Sequence, residues 1–201
     1  MKKILVVGGT GTIGRAIVSA LSQRHQVIVA GHKGGDVQVD VTQKASIEKM
    51  YQSVGRVDAV VSTIGQVHFA PLAEMNEALY QVGLNHKLMG QVNLVILGLP
   101  YLNEQGSFTL TSGILNQDPI REGSSAAMVN GALDGFVRGA AIEMPRGIRI
   151  NIVSPTVLTE SVERFGDYFL GYESVPAEKV ARAYVKSVEG AQTGQVYSVG
   201  Y

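Results

Sequence analysis

Residues 4–14 read Ile4-Leu5-Val6-Val7-Gly8-Gly9-Thr10-Gly11-Thr12-Ile13-Gly14. Four consecutive apolar residues without polar alternation describe a strand buried on both faces, the kind found in parallel sheets covered by helices. Glycines follow at once. Ile13, Ile17 and Leu21, flanked by Ala16 and Ala20, then recur at helical spacing. Strand, glycine loop and helix thus follow one another without a break. Gly8, Gly11 and Gly14 have separate uses in such a turn. One permits the sharp turn off the strand, one lets main chain approach a phosphate with no Cβ in the way, and one lets the helix pack close to the sheet. Amides at a helix start favour an anion. In this context Gly8, Thr10, Gly11, Thr12, Ile13 and Gly14 read as the pyrophosphate loop of a dinucleotide site.

Outward from this stretch, short apolar runs alternate with helical patterns. Strands are expected at Val27–Ala30, Val37–Val39, Ala59–Ser62, Ser107–Thr111, Arg149–Val153 and Gln195–Val199. Ile47, Met50, Tyr51 and Val54 mark one face of a helix, with Thr42 or Ser46 available as its cap. Two long helices are expected near residues 76–99 and 124–143, and a third from Pro176 to Glu189. The alternation predicts a doubly wound parallel α/β sheet, a Rossmann fold of about seven strands, with residues 1–201 forming a single domain. Only Gly31 to Asp36 separate the second and third strands. A parallel crossover usually takes about a dozen residues, so the helix expected there is absent or reduced to a turn.

Composition narrows the function. In 201 residues, Lys plus Arg number 17 and Asp plus Glu 17, so formal charge gives no case for nucleic acid or an anionic membrane as partner. There is no Cys, which excludes disulfides, thiolate nucleophiles and Cys-based metal sites. His25, His32, His68 and His86 lack metal-ligand spacing, and no metal is expected. The basic start Met1-Lys2-Lys3 precedes only four apolar residues. A signal peptide needs roughly 7–15 and a membrane span about 20, so a cytoplasmic protein is expected.

A dinucleotide site places its ribose reader about 20 residues beyond the glycines, where an acid selects NAD. Here the second strand ends in Ala30-Gly31-His32-Lys33, with no acid. His32 and Lys33 suit a 2′-phosphate instead, which favours NADP(H) over NAD(H). Asp40-Val41 ends the third strand and suits an adenine. Ser62-Thr63-Ile64-Gly65 ends the fourth, on the carboxyl edge where such sheets bind ligands.

Together these residues resemble the short-chain dehydrogenase/reductase family over nearly the whole chain. Gly8, Gly11 and Gly14 match its glycine motif in a variant spacing, and Asp40-Val41 its adenine-binding pair. Ser62-Thr63-Ile64-Gly65 stands where the family has Asn-Asn-Ala-Gly. Leu84-Asn85 resembles the catalytic Asn of the central helix, and Ser112 the substrate-polarising Ser. Ser154-Pro155-Thr156, with Val157 after it, resembles the Pro-Gly turn that meets the nicotinamide, and Thr193-Gly194-Gln195 the segment before the last strand. The resemblance implies an NAD(P)(H)-dependent oxidoreductase acting on a small carbonyl or alcohol.

One departure is chemical. The family's Tyr-x-x-x-Lys pair falls on Ala126 and Asn130, and no Tyr or Lys lies between Tyr101 and Tyr168. Ala126 cannot donate a proton, and Asn130 can hydrogen-bond a ribose but carries no charge. His68, Asp118, Tyr168 and Tyr172 lie on carboxyl-edge loops and are candidates for a replacement donor. The alternative is a dinucleotide-binding sensor without turnover. The long helices look apolar around most of their circumference, and Ala127, Gly131, Gly135, Gly139 and Ala140 give the second a smooth stripe. The resemblance implies a homodimer or homotetramer through these two helices.

Overall fold

β1 (Lys3–Val7) is central because both of its faces are apolar: Ile4 and Val6 enter one hydrophobic layer, Leu5 and Val7 the other. The computed structural model, which describes residues 1–201, pairs β1 in parallel with β2 (Gln26–Gly31) and with β4 (Val57–Ser62). β3 (Val37–Gln38), β5 (Leu102–Thr111), β6 (Arg149–Pro155) and β7 (Val196–Val199) complete an all-parallel sheet in the order β3-β2-β1-β4-β5-β6-β7. Chain order reverses between β1 and β4, so a crevice opens at their carboxyl ends, where sheets of this kind take ligands.

Helices cover both faces. α1 (Thr12–Leu21) and α7 (Ala177–Glu189) bury Ile17, Leu21, Val180, Tyr184 and Val188 on one side. α2 (Lys44–Val54), α4 (Gly90–Gly98) and α5 (Ser124–Ala141) bury Ile47, Met50, Leu94, Leu133 and Val137 on the other. No helix is long and apolar enough to cross a membrane. Between β2 and β3, residues 32–36 form bends and no helix, as their number required. Gly35 makes that turn possible. Its φ is +102°, and a Cβ there would lie 2.6 Å from Val29 O.

Four details depart from the sequence-based expectations. The helix expected over residues 76–99 is α3 (Glu77–Gly83), a π-helical turn (Leu84–Met89) and then α4. Neither Thr42 nor Ser46 caps α2, whose N-cap is Gln43 without a side-chain bond. Both hydroxyls turn to Asp40 instead: Thr42 Oγ1 donates to its carboxylate (2.7 Å), and Ser46 Oγ accepts from its amide (2.9 Å). β5 begins at Leu102 rather than Ser107, and a four-residue helix, α6 (Val162–Phe165), stands in the loop after β6.

Candidate functional site

The loop after β1 is tightly held. Gly8 has φ +85° and donates to Ala30 O (2.8 Å), while its carbonyl accepts from Thr63 Oγ1 (3.0 Å). A Cβ on Gly8 would lie 2.6 Å from that oxygen, and one on Gly14 would lie 2.6 Å from Gly9 Cα. The loop therefore accepts no side chain at either position. No side chain caps α1. Its first helical bond runs from Arg15 N to Gly11 O, so the amides of its first turn have no side-chain partner. Beside the loop lies a hollow of about 490 Å³. Of the residues assigned to a dinucleotide, Gly8, Thr10, Gly11, His32, Asp40, Val41, Thr63 and Ile64 line it. Two hydrogen bonds from Thr42 hold the Asp40 carboxyl below the usual carboxylate range, and the nearby His32 and His86 act in the same sense. Burial lowers the His86 imidazole, whose Nδ1 accepts from Gln66 N (3.3 Å).

A second hollow, of about 250 Å³, opens on the other side of the loop after β4. Gly65 belongs to it, whereas Ile64 and Gln66 face the first. Ser112, Gly113, Ala126, Asn130, Pro155, Thr156 and Val157 form its floor and wall, with Val67, Phe69, Phe165 and Phe169 among its apolar lining. Its buried end is polar. Ser112 and Asn130 are 3% and 2% exposed, and Ser112 Oγ and Asn130 Oδ1 have no protein partner. Asn130 Nδ2 donates to Gly113 O (3.0 Å). Lys87, from the π-turn, enters the same end, and its Nζ donates to Ser112 O (3.0 Å). Two side chains thus hold consecutive carbonyls just beyond β5. Burial pulls the Lys87 ammonium down to about 8, with Asp134 acting in the opposite sense.

Several expected residues lie elsewhere. Asn85 is exposed and lines neither hollow; Lys87, two residues on, faces Ser112. Lys33 is exposed and borders neither. Ser62 is fully buried below the edge, its carbonyl accepting from Thr111 Oγ1 (2.6 Å). Thr12, Ile13 and Gly14 stand in the first turn of α1, outside both hollows. Of the replacement donors, none lines the second hollow. His68 sits between two lining residues, Val67 and Phe69, and does not itself line the hollow. Tyr168 packs on Phe69 from outside, and the Tyr172 hydroxyl donates to Asp118 O (3.0 Å) in a separate depression. Sequence reasoning missed Lys87, Gln66 and His86. The signal for Lys87 was a stripe, Lys87, Gln91, Leu94 and Gly98, spaced 4, 3 and 4 along the helix, all of it buried.

A parallel sheet in this order, with a glycine loop at its switch point and two hollows along its carboxyl edge, defines a Rossmann-fold domain. Residues 11–193 match the family model described as Enoyl-(Acyl carrier protein) reductase. The chain belongs to the short-chain dehydrogenase/reductase family. It is similar to the crystal structure of the protein lin1944 from Listeria innocua, with a TM-score of 0.98 and 54% identity, covering 99% of this chain and 100% of that one. It is 28% identical over 190 residues to an uncharacterized oxidoreductase of Methylorubrum extorquens, covering 82% of this chain and 77% of that protein. A small-chain dehydrogenase in complex with NADPH has the same fold, with a TM-score of 0.87 at 24% identity over 98% of this chain and 95% of that one.

Proposed function

We propose that the protein is an NADP(H)-dependent oxidoreductase that interconverts a small, uncharged, largely apolar carbonyl compound and its alcohol. The observation that carries this is the pairing of two hollows on one sheet edge. One adjoins the glycine loop, and the other is apolar with unpartnered buried polar atoms at its closed end. In this reading Gly8, Thr10 and Gly11 hold the pyrophosphate, and Asp40 with Val41 holds the adenosine. Asn130 Oδ1 is free to accept from a ribose hydroxyl. Pro155, Thr156 and Val157 border the nicotinamide.

NADP(H) is favoured over NAD(H) because no acid ends β2 and His32 lines the first hollow in its place. The NADPH complex of the similar small-chain dehydrogenase supports the same choice. The bound dinucleotide supplies or accepts the hydride. The chain's own part is to orient the carbonyl and exclude water. Ser112 Oγ, buried and unpartnered, is available to donate to the substrate oxygen, while Phe69, Phe165 and Phe169 enclose its apolar part.

A second reading has a specific observation behind it. Ala126 and Asn130 line the second hollow where the family's Tyr and Lys would stand, which fits a sensor that binds the dinucleotide without turnover. A panel of apolar aldehydes and ketones with NADPH separates the two. Oxidation of NADPH with any member supports the oxidoreductase, and binding without oxidation across the panel supports the sensor.

We also infer a homodimer through α3–α4 and α5. Gly135 and Gly139 have open space where a Cβ would stand, and Met89 of the π-turn, Ile96 of α4 and Met128 of α5 are exposed. Gly135 and Gly139 are therefore not explained by packing within one chain.

A further inference from the structure

We propose that Lys87 is the proton donor of the carbonyl reduction, presented from the π-turn between α3 and α4 in place of the Tyr-Lys pair that α5 lacks. This rests on the oxidoreductase reading above and adds to it the group that does the acid–base work. Lys87 is the only ionisable side chain among the residues lining the second hollow. Its residue is 8% exposed, and its Nζ has one protein partner, Ser112 O at 3.0 Å. An ammonium has three donors, so two remain for a ligand. The bond to Ser112 O fixes Nζ beside Ser112, which lines the same hollow.

The Lys87 stem runs past Gly65. A Cβ at Gly65 would lie 3.7–3.8 Å from Cδ, Cε and Nζ of Lys87, so the glycine opposite marks the wall against which the stem runs. Below it, Gln91 Nε2 donates to Lys87 O (3.2 Å) and to Thr111 O (2.8 Å), tying the π-turn to β5. π-turns inside helices are rare and recur at functional sites. This one lies where an uninterrupted helix would give Lys87 a different rotation relative to α4. The charge acting on Lys87 is that of Asp134 on α5; every other lining residue from β4, β5, β6 and the loop after β6 is uncharged.

The step balances simply. With a reduced nicotinamide bound, a hydride with its electron pair would pass to the carbonyl carbon as the carbon–oxygen π bond breaks, and Lys87 Nζ would give the oxygen its proton. Lys87 is left as the amine and recovers a proton from water when the alcohol leaves. A donor whose pKa is near the working pH is the efficient one, and burial has brought this lysine down to about 8.

The test uses the full chain, 15N-labelled at lysine, with the variants Lys87→Met and Lys87→Arg. NMR of the free protein should find one ammonium that titrates near pH 8, shifts when NADP+ is added and is missing from both variants. Both variants should bind NADPH by calorimetry and lose about 10²–10⁴-fold in the rate of NADPH oxidation with the reactive carbonyls of the panel. Wild-type kcat/KM for reduction should fall as pH rises through about 8, and the residual rate of Lys87→Arg should lack that limb. Titration of every lysine at the ordinary value of about 10.4 overturns the proposal, as does a Lys87→Met protein that reduces carbonyls at the wild-type rate. A wild-type protein that binds NADPH but oxidises it with no carbonyl overturns the oxidoreductase reading itself, and the role of Lys87 with it.

Discussion

Replacing Gln91 by Met removes three side-chain hydrogen bonds, one to Lys87 O and two to main-chain groups of Thr111. The β4–β5 pairing ends at Val61 and Thr109, so the main chain of Thr111 runs past its neighbour strand. Gln91 takes that strand's place: its Oε1 accepts from Thr111 N (2.8 Å), and its Nε2 donates to Thr111 O (2.8 Å). Gln91 is fully buried and Thr111 is 6% exposed, so water does not replace these bonds. Each buried main-chain group left unsatisfied costs about 1–3 kcal/mol. Two such losses, partly offset by the apolar Met side chain, give an expected destabilisation of about 3 kcal/mol. For a domain of this size that lowers Tm by roughly 6–12 °C. Gln91→Glu should be at least as costly, since a carboxylate accepts from Thr111 N but cannot donate to Thr111 O, and it buries a charge. Urea and thermal unfolding followed by circular dichroism measure both. A loss below about 1 kcal/mol in Gln91→Met would refute the view that Gln91 continues the sheet edge.

Other substitutions probe separate parts of the account. Gly14→Ala drives a Cβ against main chain of the glycine loop, and overpacking of that kind costs about 1–3 kcal/mol; both urea stability and NADPH affinity should fall. Lys87 has a folded pKa below its unfolded one, so the unfolded chain binds more protons between about pH 8 and pH 10.4, and stability should rise with pH across that window. Lys87→Met should abolish the rise in urea titrations at pH 8 and pH 10, and an unchanged slope counts against the burial described. Gly135→Glu puts a charge on the smooth stripe of α5, where open space accepts it within one chain. Sedimentation should find dimer in the wild type and monomer in the variant, with Tm of the monomer within a few degrees of that expected from lost association; dimer in both contradicts the proposed interface.

The framework was legible wherever one residue pattern admits one structure. Ile4 to Val7 must be covered on both faces, and Gly8 and Gly14 stand where a Cβ meets Thr63 and the loop's own main chain. The five residues between β2 and β3 were too few for a helix, and none forms. The polar end of the second hollow was harder to read. Asn85 follows an apolar residue as the family motif does, and Lys87, two positions on, belongs to no such motif. A π-turn has no sequence signature, yet it decides which of these two side chains faces β5. Thr42 and Ser46 misled for a related reason, since a hydroxyl near a helix start serves equally well as a partner for an adjacent carboxylate and amide.

The central claim is that the glycine-loop hollow and the hollow beyond Gly65 form one dinucleotide site, and calorimetric titration of the full chain with NADPH and then NADH tests it most directly. One NADPH should bind per chain, more tightly than NADH, and binding should weaken in Gly14→Ala. Binding of neither dinucleotide would contradict the account, leaving a fold that has kept the family's sheet without its cofactor.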